Sequence, residues 1–197
     1  MSIYNAELSA GSLLLLESKR IASLLLTQPD NAAWVHAIEI ENILQKKTPA
    51  TARRQARLIR KRLSTLDEAG WRLIAERESE ITNQLLLASA IIHSRLLGDF
   101  MRNVYASCQR RLEPSIAPTD WEDFLTECAH QDPVVNKWSD TTKAKLFQVT
   151  VRLLAETKYL VSTKTMQLSP RALHPVVRRY LHDRHENYAL DCLERSK

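Results

Sequence analysis

Eight cations and no acidic residue occupy one short stretch of the 197-residue chain, residues 46–62. They are Lys46, Lys47, Arg53, Arg54, Arg57, Arg60, Lys61 and Arg62. The flanking segments are acidic, with two basic and five acidic residues in 1–45 and three basic and six acidic residues in 63–100. Guanidinium and ammonium groups pair with phosphate oxygens, so this local positive charge indicates a polyanionic partner.

The basic stretch falls on a predicted helix with two distinct faces. Thr48 can cap its N-terminus, and Pro49 suits the first helical position because the missing N–H has no intrahelical partner there. We therefore predict a helix over 49–66. At about 100° per residue, five cations share an arc of about 120°, and they are Arg53, Arg54, Arg57, Arg60 and Lys61. The apolar residues fall on a neighbouring face, which favours a helix that packs on its own domain and contacts phosphates with the other side.

The residues before this helix complete a helix-turn-helix order. A helix is predicted over 31–45, capped by Asp30 or Asn31, and the turn Gln45–Thr48 leads into the basic helix. Lys46 and Lys47 would contribute contacts from the turn. Thr48, Thr51 and the free N–H groups at the helix start could also bind a phosphate. Two other interpretations stay open, a solvated helix face and a surface that binds an acidic protein.

A second basic group is predicted in the C-terminal part. Ser139 can cap a helix that extends to about residue 157 and carries Lys143, Lys145 and Arg152. Residues 159–168 are rich in β-branched and aromatic types and are predicted to form a small hairpin or extended wing. Helix, turn, helix and wing is the winged-helix order. An ordinary helical subdomain with a β-turn excursion fits the same pattern.

The composition predicts a mainly α protein with helix-turn-helix or winged-helix-like parts and at most one small β-hairpin. Three glycines are too few for nucleotide-binding loops, and Walker A, G-x-G-x-x-G and G-x-S-x-G motifs are absent. Further helices are predicted over 10–26 (capped by Ser9), 67–77, 79–107 and 119–130 (opened by a Thr119/Glu122 capping box), with Pro170 and Pro175 opening the terminal helices. In 79–107 we expect full burial of Leu85, Leu86, Leu87, Ile91 and Ile92. We predict two domains, 1–112 and 119–197, joined by a linker at 113–118 that contains two prolines.

The remaining constellations give no catalytic or metal signature. The three cysteines, Cys108, Cys128 and Cys192, form no C-x-x-C pair, which argues against structural zinc and favours a reducing compartment. His182 and His185 could share a helix face, but no third ligand stands out. Trp34, Trp71, Trp121 and Trp138 are predicted as core anchors. We expect no enzyme activity, metal, cofactor or small-molecule substrate.

The N-terminal region does not have the pattern of a signal peptide, because no Lys or Arg precedes Lys19. No apolar run reaches the roughly 18 residues that a membrane-spanning helix needs. The sequence therefore predicts a cytoplasmic protein without a membrane segment.

Several segments resemble the BrxA family of the bacteriophage exclusion (BREX) defence systems. They are 4–18 (YNAELSAGSLLLLES), 41–45 (ENILQ), 48–54 (TPATARR), 60–63 (RKRL), 99–101 (DFM) and 121–124 (WEDF). The resemblance covers most of the chain and is weakest after about residue 165. It implies a helical, DNA-binding accessory protein with winged-helix-like parts and no known catalytic activity. Such a protein acts beside the methyltransferase, ATPase and phosphatase-like components of the same system.

The residues and the resemblance together predict a non-enzymatic protein that binds double-stranded DNA in antiviral defence, with other BREX proteins as further partners. Phosphate contacts position a protein without reading bases, so we expect weak sequence preference. The alternatives are a helical RNA-binding module and a protein–protein scaffold within the defence complex.

Overall fold

A computed structural model describes residues 2–194, and the described chain is mainly α-helical. Its α-helices are α1 (Leu15–Leu26), α2 (Asn31–Val35), α3 (Pro49–Leu63), α4 (Glu68–Glu76), α5 (Ser79–His93), α6 (Arg95–Asp99), α7 (Ala106–Arg110), α8 (Pro118–Gln131), α9 (Asp140–Glu156), α10 (Pro175–Asp183) and α11 (Asn187–Glu194). A π-helical segment, His36–Ile40, continues α2, and another, Phe100–Tyr105, joins α6 to α7. Short 3₁₀ helices span Glu7–Ala10 and Pro133–Lys137.

Helix α5 is the centre of the N-terminal half. It is apolar on nearly every side, which is typical of a helix surrounded by other elements. Helices α1, α3 and α4 pack on it from the N-terminal half, and α10 and α11 pack on it from the end of the chain. Leu85, Leu86, Leu87 and Ile91 are buried as predicted, whereas Ile92 is only partly buried. The basic helix α3 is therefore mounted directly on the core.

A buried carboxylate lies where several elements meet. Asp99 is 2% exposed and accepts four side-chain hydrogen bonds. The hydroxyl groups of Tyr4 and Tyr188 each donate over 2.9 Å, Arg95 donates over 3.0 Å, and Arg102 donates over 3.1 Å. A buried charge is stable only when it is paired and hydrogen-bonded. This carboxylate therefore fixes the N-terminal segment, the π-helical segment and α11 to one another.

A second carboxylate fastens the start of the described chain. Asp132 accepts hydrogen bonds from the Ser2 hydroxyl (2.6 Å) and from the backbone N–H groups of Ile3 (2.7 Å) and Tyr4 (3.0 Å). Its other oxygen accepts from the N–H of Val134 and caps the 3₁₀ helix that follows. The hydrogen bond from Ser2, together with those from the backbone, lowers the pKa of Asp132 to about 2.

The predicted helix over 10–26 is wrong at its start, because α1 begins at Leu15 and Ser9 is not its cap. Long-range contacts hold the preceding residues out of the helix. The Leu13 N–H donates to Glu156, and the carbonyl groups of Gly11 and Ser12 accept from Arg62. Tertiary contacts thus override a strong local helix preference.

The predicted helix over 31–45 also ends early, although Asp30 caps it by accepting the Ala33 N–H over 2.7 Å. Helical structure stops at Ile40, because the Asn42 side chain binds both the N–H and the carbonyl oxygen of Lys46 and closes a loop. Asn42 adopts a left-handed backbone (φ 49°), which asparagine tolerates better than most residues. The connection to α3 is therefore longer than the predicted turn of Gln45–Thr48.

The predicted helix over 79–107 is interrupted at Ser94, which has extended backbone angles (φ −128°, ψ 101°). The Ser94 carbonyl accepts from Leu97, and its hydroxyl approaches the same N–H at 3.5 Å, so a new helix begins there. This break and the π-helical segment Phe100–Tyr105 divide the predicted helix into α5, α6 and α7.

The C-terminal helices begin close to the predicted positions, with two differences. Ala117 rather than Thr119 precedes α8, and Asp120 accepts the Ala117 N–H over 2.7 Å. Pro175 opens α10, but Pro170 opens no helix. Ser139 caps α9 as predicted, by accepting the Thr142 N–H.

Residues 159–169 form a minimal hairpin. The N–H of Val161 donates to the carbonyl of Gln167, and the N–H of Ser169 donates to the carbonyl of Tyr159. Antiparallel bridges join Leu160 to Leu168 and Ser115 to Gln167. The segment predicted as a linker, 113–118, thus pairs with the hairpin. The division into two domains stays a prediction.

The four tryptophans differ in how much of each side chain is buried. Only Trp121 is buried, at 5% exposed, and it contacts Phe100 and Phe124 with ring centroids 5.5 and 5.7 Å apart. Trp34, Trp71 and Trp138 are partly exposed at the edge of the core. All four therefore pack in or against the core as predicted, and the three partly exposed indoles also meet solvent with one side.

Replacing Asp99 with Asn should lower the free energy of unfolding by about 3 kcal/mol, because two guanidinium groups lose their carboxylate. Urea unfolding followed by circular dichroism measures the change. Asp123→Asn is the matched control, since Asp123 is exposed and has no ion pair in the described chain. Equal stability of the two variants would contradict the role given to Asp99.

Acid should weaken the attachment of the N-terminal segment through Asp132. Its folded pKa of about 2 lies below the ordinary aspartate pKa of about 3.9. The stabilisation is therefore present above about pH 4 and is lost as the pH falls toward 2. Unfolding free energies between pH 5 and 2 should fall less steeply for Asp132→Asn than for the unsubstituted protein. Parallel slopes would refute this prediction.

Candidate nucleic-acid interface

Helix α3 forms at the predicted start because its cap is in place. The Thr48 hydroxyl accepts the Thr51 N–H over 3.2 Å, and Pro49 occupies the first turn. The helix ends at Leu63, three residues earlier than predicted. There the Trp71 indole N–H donates to the Leu63 carbonyl over 2.8 Å and satisfies a group left free by the helix end.

One face of α3 is buried and the opposite side is exposed. Ala52, Ala56, Ile59 and Leu63 are buried and recur at the spacing of a single helix face, and Leu58 is buried beside that face. They pack toward α1 and α5. The cations of the exposed side are Lys47, Arg53, Arg54, Arg57, Arg60 and Lys61. The predicted separation of an apolar face from a basic face is therefore correct.

Three of the predicted cations are already paired with carboxylates. Arg53 contacts Glu39 over 3.2 Å, and Lys61 contacts Glu7 over 2.9 Å. Lys46 is half-buried in an ion pair with Glu17. The hydrogen bond from Lys61 lowers the pKa of Glu7 below its usual range. These three carboxylates neutralise part of the positive charge that a residue count assigns to residues 46–62.

Arg60 is held differently, because its guanidinium lies 4.4 Å from the centroid of the Trp34 ring. Besides this cation–π contact, Arg60 makes no ion pair with a carboxylate within residues 2–194. Trp34 and Arg60 belong to a shallow groove of about 270 Å³ between α2 and α3, which Arg53, Arg57 and Glu39 also line.

Lys47, Arg54 and Arg57 are the cations of this interface whose charged groups have no partner in the described chain, neither a carboxylate nor an aromatic ring. All three are exposed, and none makes an ion pair or side-chain hydrogen bond within residues 2–194. Arg54 and Arg57 are three residues apart, so their side chains lie on neighbouring positions of the same helix side. They can accept new anionic partners without breaking an existing contact.

Thr48 and Thr51 are engaged with each other. Besides accepting the Thr51 N–H, the Thr48 hydroxyl donates to the Thr51 hydroxyl over 3.0 Å. The Thr51 hydroxyl keeps its own proton available as a donor. Both residues remain predicted phosphate contacts at the start of α3.

The second predicted group lies on α9. Lys143 is partly buried in a groove between α8 and α9, and Lys145 donates to Gln148 over 3.0 Å. Arg152 is exposed and has no side-chain partner in the described chain. No hydrogen bond or ion pair of the described residues links Lys143, Lys145 or Arg152 to a side chain of α3.

Arg62 has a structural position that the charge count did not reveal. It is 4% exposed, and its guanidinium donates to the carbonyl groups of Ser12 (2.6 Å) and Gly11 (2.8 Å). Burial lowers its pKa to about 10. On the helical wheel Arg62 lies between the basic and the apolar faces, so the wheel did not identify it as buried.

The histidine pair suggested for a metal does not form a helix-face site. His182 is exposed near the end of α10, whereas His185 lies beyond the helix with a left-handed backbone (φ 57°). Elsewhere in the described chain, Cys108, Glu113 and Asp120 bring potential ligand atoms within 4.8 Å. Arg111 already binds both oxygens of Glu113 (2.8 and 3.1 Å), and burial raises the pKa of Cys108 to about 12. This cluster is an ion-pair network around a protonated thiol.

Comparison with known proteins assigns the family. The sequence model of the BrxA family matches residues 2–185. The chain belongs to the BrxA family. A BREX protein BrxA from Paramagnetospirillum magneticum (strain ATCC 700264 / AMB-1) is 37% identical over 97% of this chain and 96% of that protein. A BrxA from Escherichia coli O9:H4 (strain HS) is 36% identical over 86% of this chain and 79% of its own length.

The fold is also similar to that of a solved crystal structure. A crystal structure of an uncharacterized protein from Magnetospirillum magneticum has a TM-score of 0.90 and 35% identity, covering 98% of this chain and 99% of that one. Within residues 2–194 of this BrxA-family chain, no helix combines the length and the apolar composition that a bilayer span requires. This finding agrees with the sequence prediction.

Arg62 should act on stability and not on anion binding. Replacing it with Ala leaves the carbonyl groups of Gly11 and Ser12 unpaired and should lower the free energy of unfolding by about 2 kcal/mol. Thermal or urea unfolding measures this loss. Arg54→Ala is the matched control on the same helix and should change stability by less than about 0.5 kcal/mol, because Arg54 is exposed and unpartnered. Similar losses in both variants would contradict the assignment.

Proposed function

We propose that this BrxA-family protein is a non-enzymatic accessory component of a BREX defence system that binds duplex DNA through its phosphates. The observation that carries the proposal is a set of exposed cations that make no ion pair within residues 2–194: Lys47 just before α3, and Arg54 and Arg57 on α3. Phosphates gain full electrostatic benefit from such groups because no internal carboxylate has to be displaced first. DNA in the cytoplasm is the proposed partner.

The other predicted contacts take secondary roles in this proposal. Arg60 stacks on Trp34 and keeps its guanidinium available for one phosphate. Arg53, Lys61 and Lys46 would have to exchange Glu39, Glu7 and Glu17 for DNA, so each adds less net affinity. Thr48 and Thr51 would contact a phosphate at the start of α3.

A second, smaller DNA contact is proposed for the C-terminal part. In this part of the chain, Ser115 pairs with Gln167 of the hairpin, and α8 and α9 lie between them in sequence. This order of strand residue, helix, helix and hairpin supports a winged-helix-like interpretation. Arg152 and Lys145 on α9 would face the duplex, with Lys143 at the edge. Binding through both parts would lengthen the contact without requiring base recognition.

Exchange of Arg54 and Arg57 for glutamine tests the proposal. Fluorescence anisotropy of a labelled 30-base-pair random duplex, titrated across a salt series, should show weaker binding and a log–log salt slope shallower by about 2, since each lost phosphate contact removes about 0.9. The control Arg72→Gln/Arg77→Gln removes two arginines associated with α4 and should leave the slope unchanged. Circular dichroism checks that all proteins are folded.

The same titration separates the alternatives. Structured RNA that competes better than duplex DNA would favour the RNA-binding interpretation. No binding of either nucleic acid at low salt would refute the proposal and leave the scaffold interpretation. A salt slope that is steep but equal in both double variants would move the interface from α3 to the C-terminal basic groups.

A further inference from the structure

The groove between α2 and α3 places apolar side chains beside the exposed cations of the basic helix. Ile38, which is buried, and Trp34, which is partly exposed, line it together with Val35, which is 41% exposed. Phosphate oxygens are strongly hydrated and gain little from contact with such a surface. A flat apolar group carried on a phosphate chain does gain, because its burial removes apolar area from water. Backbone phosphates alone therefore do not explain the apolar lining.

The charged residues that line this groove favour an anionic ligand. Arg53, Arg57 and Arg60 are exposed along its α3 side, and Glu39 lines it from the π-helical segment His36–Ile40. Glu39 is already paired with Arg53 over 3.2 Å. Arg57 and Arg60 thus leave a local excess of positive charge, which attracts the phosphates on either side of a bound base.

Arg60 and Trp34 form the start of a planar stack. The guanidinium carbon of Arg60 lies over the indole, 4.4 Å from the ring centroid. Because Arg60 is exposed, one side of its guanidinium contacts the indole and the other side is accessible. Unpaired bases stack on aromatic rings and on guanidinium planes. The N–H groups of a guanidinium lie in its plane, so Arg60 can hold a base on its face and a phosphate at its edge.

The start of α2 adds a group that can bind the edge of a base. Asn31 lines the groove and is exposed, and its amide makes no side-chain hydrogen bond within residues 2–194. A carboxamide offers an acceptor oxygen and two donor hydrogens, which match the mixed donors and acceptors on base edges. The groove therefore combines a stacking surface, a polar edge and flanking cations.

We propose that this groove binds an unpaired base of DNA, which stacks on Arg60 and Trp34 while the neighbouring phosphates contact Arg54 and Arg57. The inference rests on the proposed function, since the same helix holds the phosphates. A base inside a duplex is already stacked and paired, and extracting it costs free energy. A base in a single-stranded overhang has no such cost. The protein should therefore bind the junction between duplex and single-stranded DNA better than continuous duplex.

Two 30-base-pair duplexes that differ only in their overhangs test the proposal, with the continuous duplex as the reference. One carries four thymidines at its 3′ end and the other carries four abasic nucleotides, so the number of phosphates is equal and only the bases differ. Fluorescence anisotropy at low salt should give binding to the thymidine overhang that is tighter by about fivefold or more, the lower end of what one stacked base contributes.

Substitutions in the stack should remove this preference. Arg60→Lys keeps the charge but loses the planar face, so the preference should fall below about twofold while the salt slope stays the same. Arg60 is exposed, so this change leaves the fold intact. Trp34→Ala should have the same effect on the preference, and Trp34→Phe should retain most of it because an aromatic ring remains. Trp138→Ala is the matched control, since Trp138 is also partly exposed but lies outside the groove.

Equal affinity for the two overhangs would overturn the proposal, and so would a preference that survives both Arg60→Lys and Trp34→Ala. Loss of the preference in Trp138→Ala as well would contradict its assignment to this groove. Continuous duplex that binds through Arg54 and Arg57, without any preference for the thymidine overhang, would refute only this inference. Absence of binding to all three duplexes would refute the proposed function itself, and this inference with it.

Discussion

The buried Asp99 carboxylate joins the N-terminal segment, α6, the π-helical segment and α11 through hydrogen bonds. It lies in the interior, where an isolated charge is too costly to exist, and it is tolerated because two hydroxyl groups and two guanidinium groups converge on it. Those donors come from the N-terminal segment, from α6 and the π-helical segment, and from α11. Elements far apart in sequence must therefore reach one place for the fold to form.

The N-terminal segment, fixed by Tyr4 at Asp99 and by Asp132, in turn decides which cations of α3 are free. It places Glu7 against Lys61 and presents the carbonyl groups of Gly11 and Ser12 to Arg62. From the other side, the π-helical segment His36–Ile40 places Glu39 against Arg53. The charge of α3 that remains available is thus a product of the tertiary structure.

Local signals predicted much of this architecture. Thr48, Ser139 and Asp30 cap their helices as their sequence context predicts, and the apolar spacing on α3 identified its buried face. Such predictions succeed because a cap and a helix face depend on neighbours within a few residues.

The errors arise where distant residues decide the outcome. Residues 11–14 were predicted as helix, yet Glu156 and Arg62 bind Leu13 and Ser12 in a non-helical conformation. Lys61 and Glu7 are 54 positions apart, so no local pattern reveals their ion pair. The break at Ser94 and the π-helical segments have no periodic sequence signature, so the apolar pattern does not predict them.

NMR of the arginine Nε–H groups in the presence of duplex DNA can show whether α3 is the DNA-binding surface. Each resonance is assigned by single substitution, and the 30-base-pair duplex is added at low salt. We predict large shifts for Arg54 and Arg57, a smaller shift for Arg53 and none for the buried Arg62. Shifts confined to arginines outside α3, or an unchanged spectrum despite saturating DNA, would contradict the assignment of the interface to this helix.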